Sequence, residues 1–208
     1  MASYKREFSP LAGKPGADIL DVSCTQSWHE QVEIGFPFSY GNSTISSVIV
    51  DTNGQLKLDL NDTQTNYCTA VPLGGHGKPR FAFANGNLAP ITFGDVTVCR
   101  TTNSFVISFE EEVESFSETN MAAGGRINAS IKLFRNGSIQ VCYGSLTMAV
   151  KPSDNCAGGL LIAGIEDGSI KIPIANVTDG DGAFLGDAFP APGCYQKEPA
   201  NDFFAPIV

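Results

Sequence analysis

Apolar residues along this chain recur at every second position, in short runs closed by Gly, Asn or Pro, and helical periodicity is almost absent. Such alternation predicts strands with one buried face. The clearest hairpin covers residues 46–60. With Thr52, Asn53 and Gly54 as a three-residue loop and Gly54 in the left-handed region, Val50 faces Leu56 and Val48 faces Leu58. Ile49 and Lys57 then point the other way. A two-residue loop would set Val50 against Lys57 and mix the two faces, so the longer loop is preferred. Residues 127–143 repeat the construction around Arg135, Asn136 and Gly137. Leu133 faces Ile139, Ile131 faces Val141 and Ala129 faces Tyr143, with Asn128, Ser130, Lys132, Gln140 and Cys142 on the opposite side. A third hairpin, at 95–110, turns at Thr102 and Asn103. Val96, Val98, Phe105, Ile107 and Phe109 share one face, interrupted near the turn by Arg100. Thr97, Cys99, Thr101, Val106 and Ser108 share the other. Strands are also predicted at 31–36, 160–165 and 169–174.

Roughly eight to ten such strands, each with one apolar face, close best as two stacked sheets. The expected fold is therefore all-β, an antiparallel β-sandwich with extended terminal arms. No Pro/Gly/Ser linker divides the chain. The expected organisation is an N-terminal arm at 1–30, a sandwich module at 31–175 and a C-terminal extension at 176–208 that packs on its own or a neighbouring subunit.

Four stretches resemble nidogen-like and plexin-domain-containing extracellular modules. IGFPFSYGNSTISSVIVDTNGQLKL at 34–58 is similar to their opening aromatic stretch and N-G-x-L-x-F hairpin. GDVTVCRTTNSFVISFEEEVESF at 94–116 and INASIKLFRNGSIQVCYGSL at 127–146 resemble two further hairpins, and GGLLIAGIEDG at 158–168 resembles the closing glycine-rich x-x-G-I-E strand. The likeness covers about 34–168 in the right order. It departs at Leu88-Ala89-Pro90-Ile91, where the family carries a Trp, and in the last forty residues. The resemblance implies a β-sandwich of matrix, adhesive and cell-surface proteins with no catalytic residues of its own.

Composition narrows the function classes. The 208 residues suit one large domain, and 17% charged residues against 42% hydrophobic ones argue against disorder. A net charge of −9 with no Lys/Arg cluster makes nucleic acid and anionic membrane poor partners. The longest mostly apolar run, at 156–165, is half of what a membrane span needs. Six cysteines, Cys24, Cys68, Cys99, Cys142, Cys156 and Cys194, lack C-x-x-C spacing and point to disulfides in an oxidising compartment. Five sequons, at Asn42, Asn61, Asn128, Asn136 and Asn176, point the same way. The start MASYKREFSP has no secretory h-region, so the expectation is a secreted protein whose signal has been removed. Cys99 and Cys142 both fall on polar hairpin faces, and a bridge between them is expected if their strands are neighbours.

Catalytic chemistry finds little support. His29 and His76 stand far apart, no G-x-S-x-G elbow occurs, and the run Glu110, Glu111, Glu112, Glu114, Glu118 reads as a solvated face. Asp179, Asp181 and Asp187 are weak calcium candidates, since the EF-hand pattern lacks its third ligand and its closing Glu. No metal, cofactor or catalytic residue is expected. Trp28, Phe36, Phe38 and Tyr40 raise a carbohydrate-binding alternative, although Phe36 and Phe38 at period two also suit a core. The leading expectation is a non-enzymatic extracellular structural or adhesive module. Its expected partners are copies of itself or other extracellular structural proteins, including filament proteins, with glycans as the alternative. The apolar end of the chain must be covered by something. It either folds back over its own sandwich with Cys194 as a staple, or adds a strand to a neighbour, making Phe203, Phe204, Ile207 and Val208 assembly contacts.

Overall fold

Alternation at period two is carried into two stacked antiparallel sheets. A computed structural model of the chain describes residues 17–19, 29–62, 73–75, 77–85, 88–89, 95–113, 125–144, 147–148, 162–167, 170–174 and 193–207. The first sheet is built from β1 (Ala17–Ile19), β7 (Asp95–Arg100), β8 (Ser104–Val113), β9 (Gly125–Phe134), β10 (Ile139–Tyr143), β14 (Gly193–Lys197) and β15 (Ala205–Pro206) in that spatial order. Two short strands attach to it, β6 (Leu88–Ala89) on β8 and β11 (Thr147–Met148) on β9, making nine. The second sheet has six strands in the order β13 (Ile170–Pro173), β12 (Ile162–Asp167), β5 (Arg80–Asn85), β4 (Gln55–Lys57), β3 (Ser43–Asp51) and β2 (His29–Tyr40). Of these fifteen strands among the described residues, ten have four residues or more; β5 and β14 among them were not placed by the alternation, whereas the three-residue β4 was.

The hairpin registers follow from keeping one face apolar. Val50 opposes Leu56, Leu133 opposes Ile139, Ile131 opposes Val141 and Ala129 opposes Tyr143. Both three-residue loops use a glycine at positive φ, 78° at Gly54 and 89° at Gly137. Asp51 and Asn136 fix these loops by accepting from Asn53 N and Ser138 N at 2.9 and 3.0 Å. The β3–β4 ladder stops at Lys57, and Leu58 N bonds instead to Pro79 O at 3.1 Å. Val96, Val98, Phe105, Ile107 and Phe109 are fully buried and merge with Val48, Val50, Leu56, Phe81 and Ile165 of the other sheet into one core. The β2–β3 register slips between Glu33 and Phe38, on the edge strand of the six-stranded sheet. There Arg100 Nε donates to Glu33 O at 2.7 Å, and the Arg135 guanidinium stands 5.3 Å from the Phe36 ring. The cation that interrupts the apolar face of β7 thus ties the two sheets together.

Tyr143 bridges the sheets more deeply, donating from its hydroxyl to Phe83 O at 2.7 Å. Burial, and secondarily Tyr195, push its pKa well above the ordinary tyrosine value. The folded-state pKa is the raised one, so this stability is complete below the unfolded value of about 10 and is lost as pH climbs above it, by up to about 1.4 kcal/mol per unit. Tyr143→Phe is expected to cost about 1 kcal/mol at neutral pH through the lost hydrogen bond. It should also flatten the fall in stability above pH 10, as measured by urea unfolding at several pH values.

The C-terminal segment is where the sequence expectation needs correcting. Cys142 bonds Cys194, directly opposite it on β14, and not Cys99. Cys99 stands on β7 between Ala17 and Val106, with β8 and β9 separating it from β10, so the two strands are not neighbours. Cys99 carries a free thiol. Cys24, Cys68 and Cys156 lie outside the described residues. The described end of the chain takes the first of the two courses expected for it, folding back over its own sandwich with Cys194 as the staple. Residues 193–207 add β14 and β15 to the sheet of their own sandwich, and Phe204 enters the core at 2% exposure. Phe204 is therefore committed to its own chain and is not an assembly contact; Ile207 is half-buried, with its N–H on Cys194 O at 2.8 Å. Phe203 is exposed, and Val208 lies outside the described residues. Within the expected N-terminal arm, Ala17–Ile19 pairs with β7 and β2 already begins at His29. Replacing Cys142 and Cys194 together by Ser should cost about 3 kcal/mol. Limited proteolysis should then cut first within 193–207, where release of β14 would expose Phe204.

Candidate functional site

Turning Val50, Leu56, Phe81 and Ile165 inward sends Asp51, Gln55, Lys57, Arg80 and Glu166 to the outer face of the six-stranded sheet. An outer face of a sandwich is ordinarily wet. Here all five side chains are buried. Lys57, Arg80 and Glu166 form one row across β4, β5 and β12, and Asp51 and Gln55 form the next.

The row is tied by ion pairs. Lys57 Nζ stands 2.9 Å from Asp51 Oδ2, and Arg80 Nε donates to Glu166 Oε2 at 3.0 Å. Gln55 joins the two pairs, donating from Nε2 to Asp51 Oδ2 at 3.1 Å and accepting from Arg80 Nη1 at 3.1 Å. The remaining carboxylate oxygens are also engaged: Asp51 Oδ1 by Asn53 N at 2.9 Å, and Glu166 Oε1 by Gly77 N at 2.8 Å. Burial draws the pKa of the Arg80 guanidinium down, opposed chiefly by the charge and hydrogen bond of Glu166. Two buried cations meet two buried anions, and every carboxylate oxygen has a donor. This is the condition under which a buried charged cluster can persist.

The segment between β4 and β5 forms part of the cover. Gly77 reaches Glu166, and Lys78 lies 3.6 Å from Asp59 and 3.7 Å from Asp62. Leu73, 2% exposed, makes a small second cluster with Ala82 and Ile162 on the same outer face. Gly164 lies beneath it; a Cβ there would stand 2.5 Å from Leu73 Cδ1 and 2.6 Å from Ile172 O. At φ +152° it is also in a backbone region that side-chain-bearing residues rarely adopt. Burial also raises the pKa of the Tyr40 hydroxyl, assisted by Asp167 and Glu166. Its ring packs edge-on against Phe81 at 5.0 Å.

Of the residues singled out as candidate chemistry, Tyr40 borders this cluster and the other described ones do not. Phe36 and Phe38 are core residues, and His29 is exposed at the start of β2. Glu110, Glu111 and Glu112 lie on β8. Trp28, His76, Glu114, Glu118, Asp179, Asp181, Asp187 and Asn176 lie outside the described residues. Among the described residues no three His, Cys, Asp or Glu side chains are grouped as metal ligands, and no helix is long and apolar enough to cross a membrane. The cluster that does form was only half visible in the sequence. Lys57 was placed opposite the apolar face and meets Asp51 within its own hairpin, but the second pair joins Arg80 to Glu166, 86 residues further along the chain.

The triplet Gly164-Ile165-Glu166 and the loop at Asn53-Gly54 are among the motifs on which the family likeness rested, and both border the buried cluster. A family described as "NIDO related" matches residues 1–179. The chain belongs to the NIDO-related family. No curated protein and no solved structure matches it. The NIDO-related match runs beyond 34–168 in both directions and ends before β14, so the disulfide-held segment 193–207 lies outside it. Membership in the NIDO-related family suggests an extracellular, matrix-type module, and the Cys142–Cys194 bridge agrees with an oxidising compartment.

Proposed function

We propose that this chain is a non-enzymatic structural or adhesive module of the extracellular space, joining copies of itself or other extracellular structural proteins. The observation that carries the reading is the closed cluster of Asp51, Lys57, Gln55, Arg80 and Glu166. It lies at the family's own motifs, and its charged groups are spent on one another and on Gly77 in the covering segment. The disulfide that binds the last strands into the nine-stranded sheet adds to the same picture, a domain built to keep its shape outside the cell. Of the four aromatics on which the carbohydrate alternative rested, Phe36 and Phe38 are in the core, Tyr40 is half-buried against Phe81, and Trp28 lies outside the described residues.

The chain should be retained on immobilised extracellular-matrix proteins, or grow in mass by light scattering as its concentration rises, and give no signal on a glycan array. A chain that stays monomeric at high concentration, is retained by no matrix protein and gives a strong array signal would replace this reading with the carbohydrate one. Because Phe204 is enclosed by its own sandwich, self-association is expected to survive deletion of residues 205–208.

A further inference from the structure

Several sequons fall together in space. Asn42 occupies the turn between β2 and β3. Asn136 occupies the turn between β9 and β10, where a Cβ on the adjacent Gly137 would stand 3.4 Å from Ser39 O. Asn61 follows β4, which runs antiparallel to β3 with Lys57 opposite Ile49, so the chain beyond Lys57 heads toward the start of β3 and Asn42. Asp167, the last residue of β12, belongs to the same end, because a Cβ on Gly41 would stand 3.0 Å from its Oδ2. The side chains of Asn42, Asn61 and Asn136 are all exposed.

Their amides remain able to react. The Asn136 side chain accepts through Oδ1 from Ser138 N at 3.0 Å, which leaves Nδ2 outside that bond. Asn61 Nδ2 donates to Asp59 Oδ1 at 3.3 Å and keeps its second hydrogen. Asn128 is different. It is half-buried in the middle of β9, paired with Glu110 on β8, and its carbonyl accepts from Gly144 N at 2.8 Å. A branched sugar on Asn128 would have to rise through a partly covered sheet face.

We propose that Asn42, Asn61 and Asn136 carry N-linked glycans that cap one end of the sandwich, and that Asn128 carries none. The donor is a lipid-linked oligosaccharide of the secretory pathway. The asparagine Nδ2 forms a bond to C1 of the first sugar and gives up a proton. The bond from C1 to the lipid pyrophosphate breaks, and the pyrophosphate leaves with the electron pair. The same end gathers the large apolar residues that stand exposed among the described ones. Leu60 directly precedes Asn61, Ile170 begins β13 opposite Asp167, and Phe203 lies in the return between β14 and β15. Flexible hydrophilic sugars rooted among them would shield this apolar surface from unspecific contact. Partner contacts would then fall on the faces and edges away from this end.

The inference rests on the extracellular reading above, and the test keeps the two apart. The full chain is directed into the secretory pathway of a glycosylating cell, and the secreted protein is treated with the amidase that converts glycosylated Asn to Asp in heavy-oxygen water. Peptide mapping should find the label at 42, 61 and 136 and none at 128. Asn42→Gln with Asn136→Gln should remove two glycans' worth of gel shift with the thermal midpoint kept, while Asn128→Gln should leave mobility unchanged. Label at Asn128 in folded protein, or bare Asn42 and Asn136 in secreted protein whose Cys142–Cys194 bridge is closed, overturns the glycan proposal alone. A bridge that stays open in the secreted chain overturns the extracellular reading together with it.

Discussion

Glu166→Gln is expected to lower the unfolding free energy by about 3–5 kcal/mol, because it leaves the Arg80 guanidinium buried without its counter-charge. The substitution keeps the shape of the side chain, so the loss cannot be assigned to a cavity. Arg80 is effectively always protonated, and it cannot shed its charge to escape the penalty. Its bond from Nη1 to Gln55 is to a neutral amide. Arg80→Met combined with Glu166→Leu removes both charges at similar volume and should recover most of the loss, leaving chiefly the cost of a Gly77 N–H and a Gln55 Oε1 that lose these partners. Urea unfolding of the three variants tests this. A single-variant cost below about 1 kcal/mol would mean that water reaches the pair, since exposed ion pairs are worth that little.

The contrast between the two faces of the six-stranded sheet explains what the sequence disclosed. Inward positions were legible because burial of Val50 against Leu56, or Leu133 against Ile139, is enforced by period two within a single hairpin. A register slip of one residue would have turned these side chains to the wrong side. The outward positions obey no such local rule. Lys57 and Glu166 look like solvated charges when each is read with its neighbours, and only the order β12-β5-β4 makes them part of one row. The same gap misled the cysteine pairing. Both hairpins were drawn in the right register, yet nothing within either one says that β14, and not β7, lies beside β10. Phe203 and Phe204 show the limit at its finest scale. Adjacent in sequence and equally apolar, they end with one exposed and one in the core, since successive residues face opposite ways where the chain returns to the sheet.

Gly164→Ala is expected to cost on the order of 4 kcal/mol, combining backbone strain at a glycine-only conformation with overpacking. The φ of +152° belongs to a region that an alanine avoids, and it occurs where the register between β12 and β5 shifts. The methyl group would also meet three neighbours, Leu73 Cδ1 at 2.5 Å, Ile172 O at 2.6 Å and Pro173 Cα at 3.0 Å. These contacts differ in kind. Leu73 ends in a rotatable side chain, and truncating it would clear that clash. Ile172 O and Pro173 Cα belong to the backbone of β13, held in register by Gly164 opposite Pro173 and Ile165 opposite Ile172. They can yield only if β13 separates from β12. Leu73→Ala added to Gly164→Ala should therefore fail to restore stability, and should lower it further by emptying the small cluster with Ala82 and Ile162. Recovery in that double variant would place the constraint in the side chain of Leu73. Failure would place it in the backbone of β13, and would explain on steric grounds why a glycine precedes the Ile and Glu that join this strand to the core and to Arg80.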